Sequence, residues 1–386
     1  MLNTWGIDKQ QVHVILRDNA RNMKKAMDDM GVLSVGCIAH TLQLVVHEGL
    51  LSQRSITDTL ANARKIVGHF KHSPQAYARL EDIQIDLKMP VKRLQQDVQV
   101  RWNSTHYMLQ SLLEQKRSLS VYAADHNLAA TLTVNQWTLM EKTVEVLAPF
   151  EELTRVVSAE TATAADVISA ITVLKRVLSR EHSTDQGIKT VKSTLLEAVE
   201  KSFSQVETEP LYCIATLVDP RYKDRYFTNP DNLRQAKDAL IQEVGKMEVR
   251  RAASEESEAE PVNKVPRQNT ASSTLGSVFD EILEESETET GSVSTSSADV
   301  QMQSYLAQQT IPRSDNPLQY WRAHATPFPS LAAIAAKFLC APCTGVDSER
   351  LFSAVSNVTD EKRNRLSADR VEMLTFLKKN LHFILK

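Results

Sequence analysis

The sequence predicts an α/β layer that leads into a large all-α lobe and ends in a helical C-terminal region. Three observations carry this reading. A β-branched run near the start is followed by a helical pattern and then a second apolar run. From 106 to 248 the apolar residues keep helical spacing throughout. After an acidic, Ser/Thr-rich interval, helical spacing returns and runs to the end.

Val12, Val14, Ile15 and Leu16 read as a strand that stops at Arg17-Asp18-Asn19. Ala20, Met23, Ala26, Met27 and Met30 follow with helical spacing, and Gly31 is a natural C-terminal stop. Val32 to Ile38 reads as a second strand, and Thr41 to Val46 opens another helix. An Asp at the C-terminal end of a strand is where α/β sheets commonly place chemistry. Asp18 suits an equally plain role, capping the helix that follows. On this reading 1–105 forms the α/β part.

In 106–248, Trp137, Met140, Val144 and Leu147 keep helical spacing up to Pro149. Val167, Ile168, Ile171, Leu174, Val177 and Leu178 repeat it, as do Val191, Leu195, Val199 and Phe203. Antiparallel helices with short connections would make an all-α lobe. The interval 249–310 differs in kind. Its Glu255–Glu260 and Thr288–Ala298 stretches offer few apolar groups to offset chain entropy, so a disordered acidic linker is expected. Leu275, Val278, Phe279, Ile282 and Leu283 could form a transient amphipathic helix within it.

The last part, 311–386, reads as helices again, and from Asp315 on as a self-association module. Pro317–Trp321 opens one helix. Ser330 caps another, with Leu331, Ile334, Phe338 and Leu339 on one side. Asp347 or Ser348 starts a third that carries Leu351, Phe352 and Val355 on one face. Ser367 caps the last, where Val371, Leu374, Leu377, Leu381 and Ile384 form a stripe. Met373, Phe376 and Phe383 give that helix a second apolar face, which must be covered by its own fold or by a second chain. Trp321, Leu351, Phe352, Leu374, Leu377 and Leu381 are the candidate dimer contacts.

Charge and cysteine usage narrow the class. The net charge is −3, which argues against a constitutively basic nucleic-acid binder. Residues 251–300 carry eleven acids and three bases, so the remainder of the chain is mildly basic. No apolar run is long enough to span a membrane, and the N-terminus has no basic region followed by an apolar stretch, so neither a membrane partner nor a secretory signal is expected. Four scattered cysteines fit a reducing compartment, cytosol or nucleus.

Few residues suggest chemistry. Cys37-Ile38-Ala39-His40 has half the spacing of a zinc finger, with no second pair at a fitting distance. Cys340-Ala341-Pro342-Cys343 looks like a redox or zinc half-site but has no clear partner pair, and reads as two ordinary buried thiols between helices, so no metal is assigned. Arg101-Trp102 pairs a cation with a large aromatic, able to hold a phosphate and stack on a base, or simply to pack a helix. No Gly-rich phosphate loop, G-x-S-x-G elbow or H-E-x-x-H motif occurs, which leaves carboxylate-bound metal as the only catalytic idea.

Taken together, the segments resemble the hAT superfamily of DNA transposases, and more closely the domesticated zinc finger BED domain-containing proteins derived from it. Arg17–Met23 resembles the family's aspartate motif at a strand end. Cys37–Val46 is similar to its C/D-x-x-H motif, and Arg101–Thr105 to its R-W motif. Leu217–Lys223 is similar to a stretch late in the helical insertion. Pro317–Trp321, Ser348–Ser353 and Lys362–Leu366 resemble the C-terminal dimerisation region.

The resemblance implies an RNase H-like α/β core interrupted by a large all-α insertion, with 311–386 completing that core. It implies an Asp, Asp, Glu triad that binds divalent metal for strand cleavage and transfer. Asp18 matches the second Asp and Glu349 the last Glu. The first Asp and the BED finger have no counterpart in the sequence, so the pattern is read as N-terminally truncated and the two carboxylates as vestigial. Arg101 and Trp102 would contact DNA. The implied protein is a nuclear homodimer or higher homo-oligomer that regulates transcription in association with DNA, needs no cofactor and has no strand-transfer activity. The alternative is a fragment of an active transposase, which would use Mg²⁺.

Overall fold

The computed structural model describes residues 4, 6–98, 101–181, 187–258, 297–358 and 366–384. Two short strands form a parallel pair: β1 (Ile15–Arg17) lies beside β2 (Ser34–Gly36), with Ile15, Leu16 and Arg17 opposite Ser34, Val35 and Gly36. Helix α1 (Arg21–Met30) makes the crossover and ends on Gly31, whose φ of +59° supplies the left-handed stop. Both predicted strands are present, each shorter than its apolar run. Gly36 is required where it stands, because a Cβ there would lie 2.3 Å from Asn19 Oδ1. Asn19 uses that space to donate to Thr41 Oγ1, which fastens the end of β1 to α2 (Ile38–Leu51).

The rest of the described chain is helical. After α2 come α3 (Arg54–His72), α4 (Pro74–Asp86), α5 (Trp102–Glu114), α6 (Lys116–Asp125), α7 (Val134–Val157), α8 (Asp166–Ser179), α9 (Lys189–Ser202), α10 (Pro210–Val218) and α11 (Pro230–Glu258). Much of the segment expected to be α/β is therefore helix, and α5 runs straight across residue 105. The strand signal was local, while α2 to α4 follow helical spacing on their own. Helix α2 is central: Leu42, Val45 and Val46 are fully buried, and it packs on α9, α3, α5 and α7. Its Gly49 lets α9 come close, since a Cβ would meet the Leu195 side chain at 2.5 Å and its backbone at 3.1 Å.

The C-terminal part comprises α12 (Ser297–Ala307), α13 (Pro317–Ala323), α14 (Pro329–Phe338), α15 (Val346–Val358) and α16 (Ala368–Ile384). The expected acidic linker is corrected at both ends. Helix α11 continues to Glu258, and α12 is an integral element that packs on α11 and α14 with Tyr305 fully buried. The polar composition of 249–310 concealed three anchors of α12: Ala298, Met302 and Tyr305 are all buried. The stretch Leu275–Leu283 and the basic Lys362–Arg365 lie outside the described residues. Among the described residues no helix is long and apolar enough to cross a membrane.

Leu217–Lys223 knits these parts together. Asp219 is fully buried and accepts from Arg221 Nη2 at 2.7 Å and from Nε at 3.0 Å. Arg221 also reaches Asp166, at the start of α8, at 3.3 Å, and Tyr222 donates its hydroxyl to the same carboxylate. Burial pushes Asp219 above its ordinary value against the pull of Arg221. Burial would lower Arg221, but the Asp219 hydrogen bond and the Asp166 charge outweigh it and raise it. Lys223 adopts a left-handed backbone (φ +53°) and is 1% exposed. Its ammonium donates to the Tyr305 and Gln308 carbonyls at 2.7 and 2.6 Å, closing the C-terminal end of α12. Burial pulls that ammonium down to about 8. Trp321 Nε1 donates to the Val218 carbonyl at 2.7 Å, and Ile311 N to the Pro220 carbonyl.

Two stability predictions follow from this packing. Arg221→Met leaves Asp166 and Asp219 buried without their cation, and should cost about 3–5 kcal/mol in urea unfolding. His106 lies between Trp102 and Tyr107 with Nδ1 buried and lacking a hydrogen-bond partner. Burial lowers its pKa below 6.5, with Glu151 opposing. The folded state thus binds fewer protons, so the stability His106 contributes is complete above pH 6.5 and lost as pH falls through the lowered value. Thermal melts at pH 7.5 and pH 5 should show a smaller acid-induced drop for His106→Gln than for the unaltered chain.

Candidate dimerisation surface and strand-end site

Helices α15 and α16 pack on each other. Arg350 fixes α15 to the body by donating to the Ser158 carbonyl at 3.0 Å, and also reaches Asp347 of its own helix at 3.4 Å. The two helices expose an unusual set of side chains. Phe352, Phe376 and Phe383 are 72%, 64% and 71% exposed, and they are the exposed phenylalanines among the described residues. Leu351, Met373, Leu374, Leu377 and Leu381 are exposed beside them, whereas Thr375 is buried. Both apolar faces predicted for the last helix thus present exposed side chains, with Val371 half-buried, and α15 packs beside them.

Trp321 does not belong to that surface. It is 4% exposed, hydrogen-bonded to Val218 and tilted against Tyr305 with ring centroids 4.9 Å apart. Its expected role as a dimer contact is corrected: the indole is large enough to fill the space between α10 and α12, and its N–H finds a buried carbonyl there. Trp102 is corrected in the same way. At 6% exposed, with its ring 6.3 Å from that of Phe150, it presents no face to a base. Its backbone N–H donates to Gln43 Oε1 at 2.8 Å, and Arg101 remains exposed at the start of α5.

Asp18 and Glu349 lie near one end of the β layer. Cys37 N donates to the Arg17 carbonyl, Gly345 N to Cys37 Sγ, and Ile38 N to the Cys343 carbonyl. These bonds bring the end of β1, the start of α2 and the start of α15 together. Asp18 is exposed, and its Oδ1 accepts from Ala20 N at 3.1 Å, tightening the turn into α1. Glu349 is exposed on the first turn of α15. Burial pushes the Cys343 thiol and the Tyr212 phenol well above their ordinary values, and Cys213 up to about 12. These groups stay protonated and serve as packing. Cys340 is exposed rather than buried, and among the described residues no three His, Cys, Asp or Glu side chains converge.

The Asp166–Arg221–Asp219 cluster was not anticipated. Leu217–Lys223 stood out in the sequence only through resemblance, and Asp166 was not singled out. A buried Asp-x-Arg pair at a helix end, with a helix-starting Asp far upstream, leaves no signal in periodicity.

Comparison with known proteins places these features. Residues 35–146 match the ZBED1 RNase-like helical domain, and residues 301–381 the hAT family C-terminal dimerisation region. The second match begins inside α12, in agreement with its packing. Human zinc finger BED domain-containing protein 4 is 31% identical over 97% of this chain and 31% of its own length. Human zinc finger BED domain-containing protein 6 is 31% identical over 95% of this chain and 40% of its own. The rice (Oryza sativa subsp. japonica) zinc finger BED domain-containing protein RICESLEEPER 2 is 24% identical over 96% of this chain and 54% of its own. The chain thus spans about a third to a half of these relatives. The exposed pair α15–α16 falls within a region of known type: the chain carries the hAT C-terminal dimerisation region and is homologous to zinc finger BED domain-containing proteins and hAT transposases.

Proposed function

We propose that this chain is the folded body of a domesticated hAT protein that forms a homodimer through α15 and α16 and regulates transcription in association with DNA in the nucleus, without strand transfer. In this reading the β1–α1–β2 unit belongs to an RNase H-like core, the long helical part is an insertion into it, and the C-terminal helices return to complete it. The observation that carries the reading is the exposed phenylalanine and leucine surface, which coincides with the matched dimerisation region. Burying a phenylalanine of this kind stabilises an assembly by about 1.5–3 kcal/mol before association costs. The homology to zinc finger BED proteins supports the nuclear, regulatory part.

The enzymatic alternative draws on Asp18 and Glu349 bordering one end of the β layer. Against it stand their exposure and the absence of a third converging ligand among the described residues.

Size-exclusion chromatography with light scattering tests the dimer. At micromolar concentration the chain should run at twice its mass, and Phe376→Glu combined with Leu377→Glu should run as a folded monomer. A monomer for the unaltered chain would sink the proposal. A metal-dependent nicking assay should give no product that Asp18→Ala abolishes.

A further inference from the structure

A groove of about 430 Å³ lies between the end of α3, the start of α4 and the segment that follows it. Val67, Phe70 and Leu94 form apolar walls, and Lys71, Tyr77, Arg93 and Gln96 line it with polar reach. The Arg93 guanidinium carbon sits 4.6 Å from the centre of the Tyr77 ring. Lys71, Arg93 and Gln96 are exposed and Tyr77 is half-buried.

The charge around the groove is lopsided. Residues 64–101 carry eight Lys and Arg against four Asp and Glu, in a chain whose net charge is −3. Two of those bases are neutralised locally, Arg64 by Asp97 at 2.8 Å and Lys92 by Glu114 at 3.0 Å. Asp97 is turned inward and also accepts from Thr105. Lys71 and Arg93 form no ion pair among the described residues. An anion entering the groove meets two uncompensated cations.

We propose that this groove holds an unpaired nucleotide of a single-stranded nucleic acid, its base against the Tyr77–Arg93 pair and its phosphate on Lys71. The proposal rests on the DNA-associated reading above and gives that reading a contact point other than Arg101. An aromatic ring paired with a guanidinium is a stacking platform for any base, and nearby lysine charge follows the backbone. Stacking needs an exposed base face, which a paired base in a duplex does not offer. Gln96 can meet a base edge with both a donor and an acceptor. A phosphopeptide site would converge several arginine forks on one phosphate. Here the single arginine is engaged with a ring, and the walls are apolar.

Fluorescence anisotropy with the full chain tests this. The probes are a labelled oligothymidylate about 20 nucleotides long, longer than one binding site, and a duplex of the same length. Lys71→Glu and Arg93→Glu should each weaken oligothymidylate binding about tenfold, and Tyr77→Leu by a similar factor while duplex binding is unchanged. Tyr77→Phe should retain affinity. If the unaltered chain binds duplex but not oligothymidylate, or if the variants bind oligothymidylate as tightly as it does, the groove assignment is overturned and the DNA-associated reading stands. Binding to neither probe overturns both. Equal losses toward heparin, with Tyr77→Leu without effect, would reduce the groove to a general polyanion patch and overturn the proposal. Displacement of the probe by a phosphoserine peptide at lower concentration than by unlabelled oligothymidylate would also overturn it. Lys71 and Arg93 are exposed, so their charge reversals decide the matter even where Tyr77→Leu does not fold.

Discussion

Seven consecutive residues, Leu217 to Lys223, tie the helical lobe at α8 to the C-terminal part at α12 and α13. Asp219 and Arg221 reach back to α8 through Asp166, Val218 receives the Trp321 indole, Pro220 receives Ile311, and Lys223 closes α12. Removing three charges from water costs several kcal/mol per ion unless geometry and hydrogen bonding offset it. Here Arg221 meets two carboxylates, Tyr222 fills a further acceptor position, and Lys223 sits among backbone carbonyls with its charge over the Tyr305 ring at 4.6 Å. The offset holds only when α8, α10 and α12 are in place together. A buried ionic group of this kind selects one arrangement of apolar helices that hydrophobic contact alone would leave free to slide.

How much of this was legible in the sequence depended on the range of the signal. The β1–α1–β2 unit was readable because Val14, Ile15, Met27 and Gly31 follow short-range rules. The faces of α8 and α9 were readable for the same reason. The helical character of residues 54–86 was missed, and so was α12, because its anchors, Ala298, Met302 and Tyr305, sit in a polar neighbourhood. Trp102 and Trp321 show a different failure. Each is a large aromatic next to a cation or a turn, and sequence alone does not say whether such a ring faces a ligand or fills a gap between helices. Packing settles this, and both rings face inward.

The surface at α15 and α16 inverts that lesson. Leu374, Leu377 and Leu381 were candidates because their helix is apolar on two sides, Leu351 and Phe352 because they share one face of the helix before it, and the fold leaves all five exposed. The body of the protein is completed by Cys343 and Gly345, whose backbone groups bond to the start of α2. Among the described residues beyond that point Thr375 is buried, and most of the large apolar side chains are exposed. The buried core and the proposed association surface thus draw on largely different stretches of the sequence.

The Lys223 clamp has a consequence for how the chain is connected. Helix α12 is held by the Lys223 ammonium and by the Trp321 indole tilted against its Tyr305 ring, both supplied by contact through space. Within the described residues, the C-terminal helices thus adhere to the helical lobe through groups far apart in sequence, a latch closed across the fold rather than a hinge between neighbours.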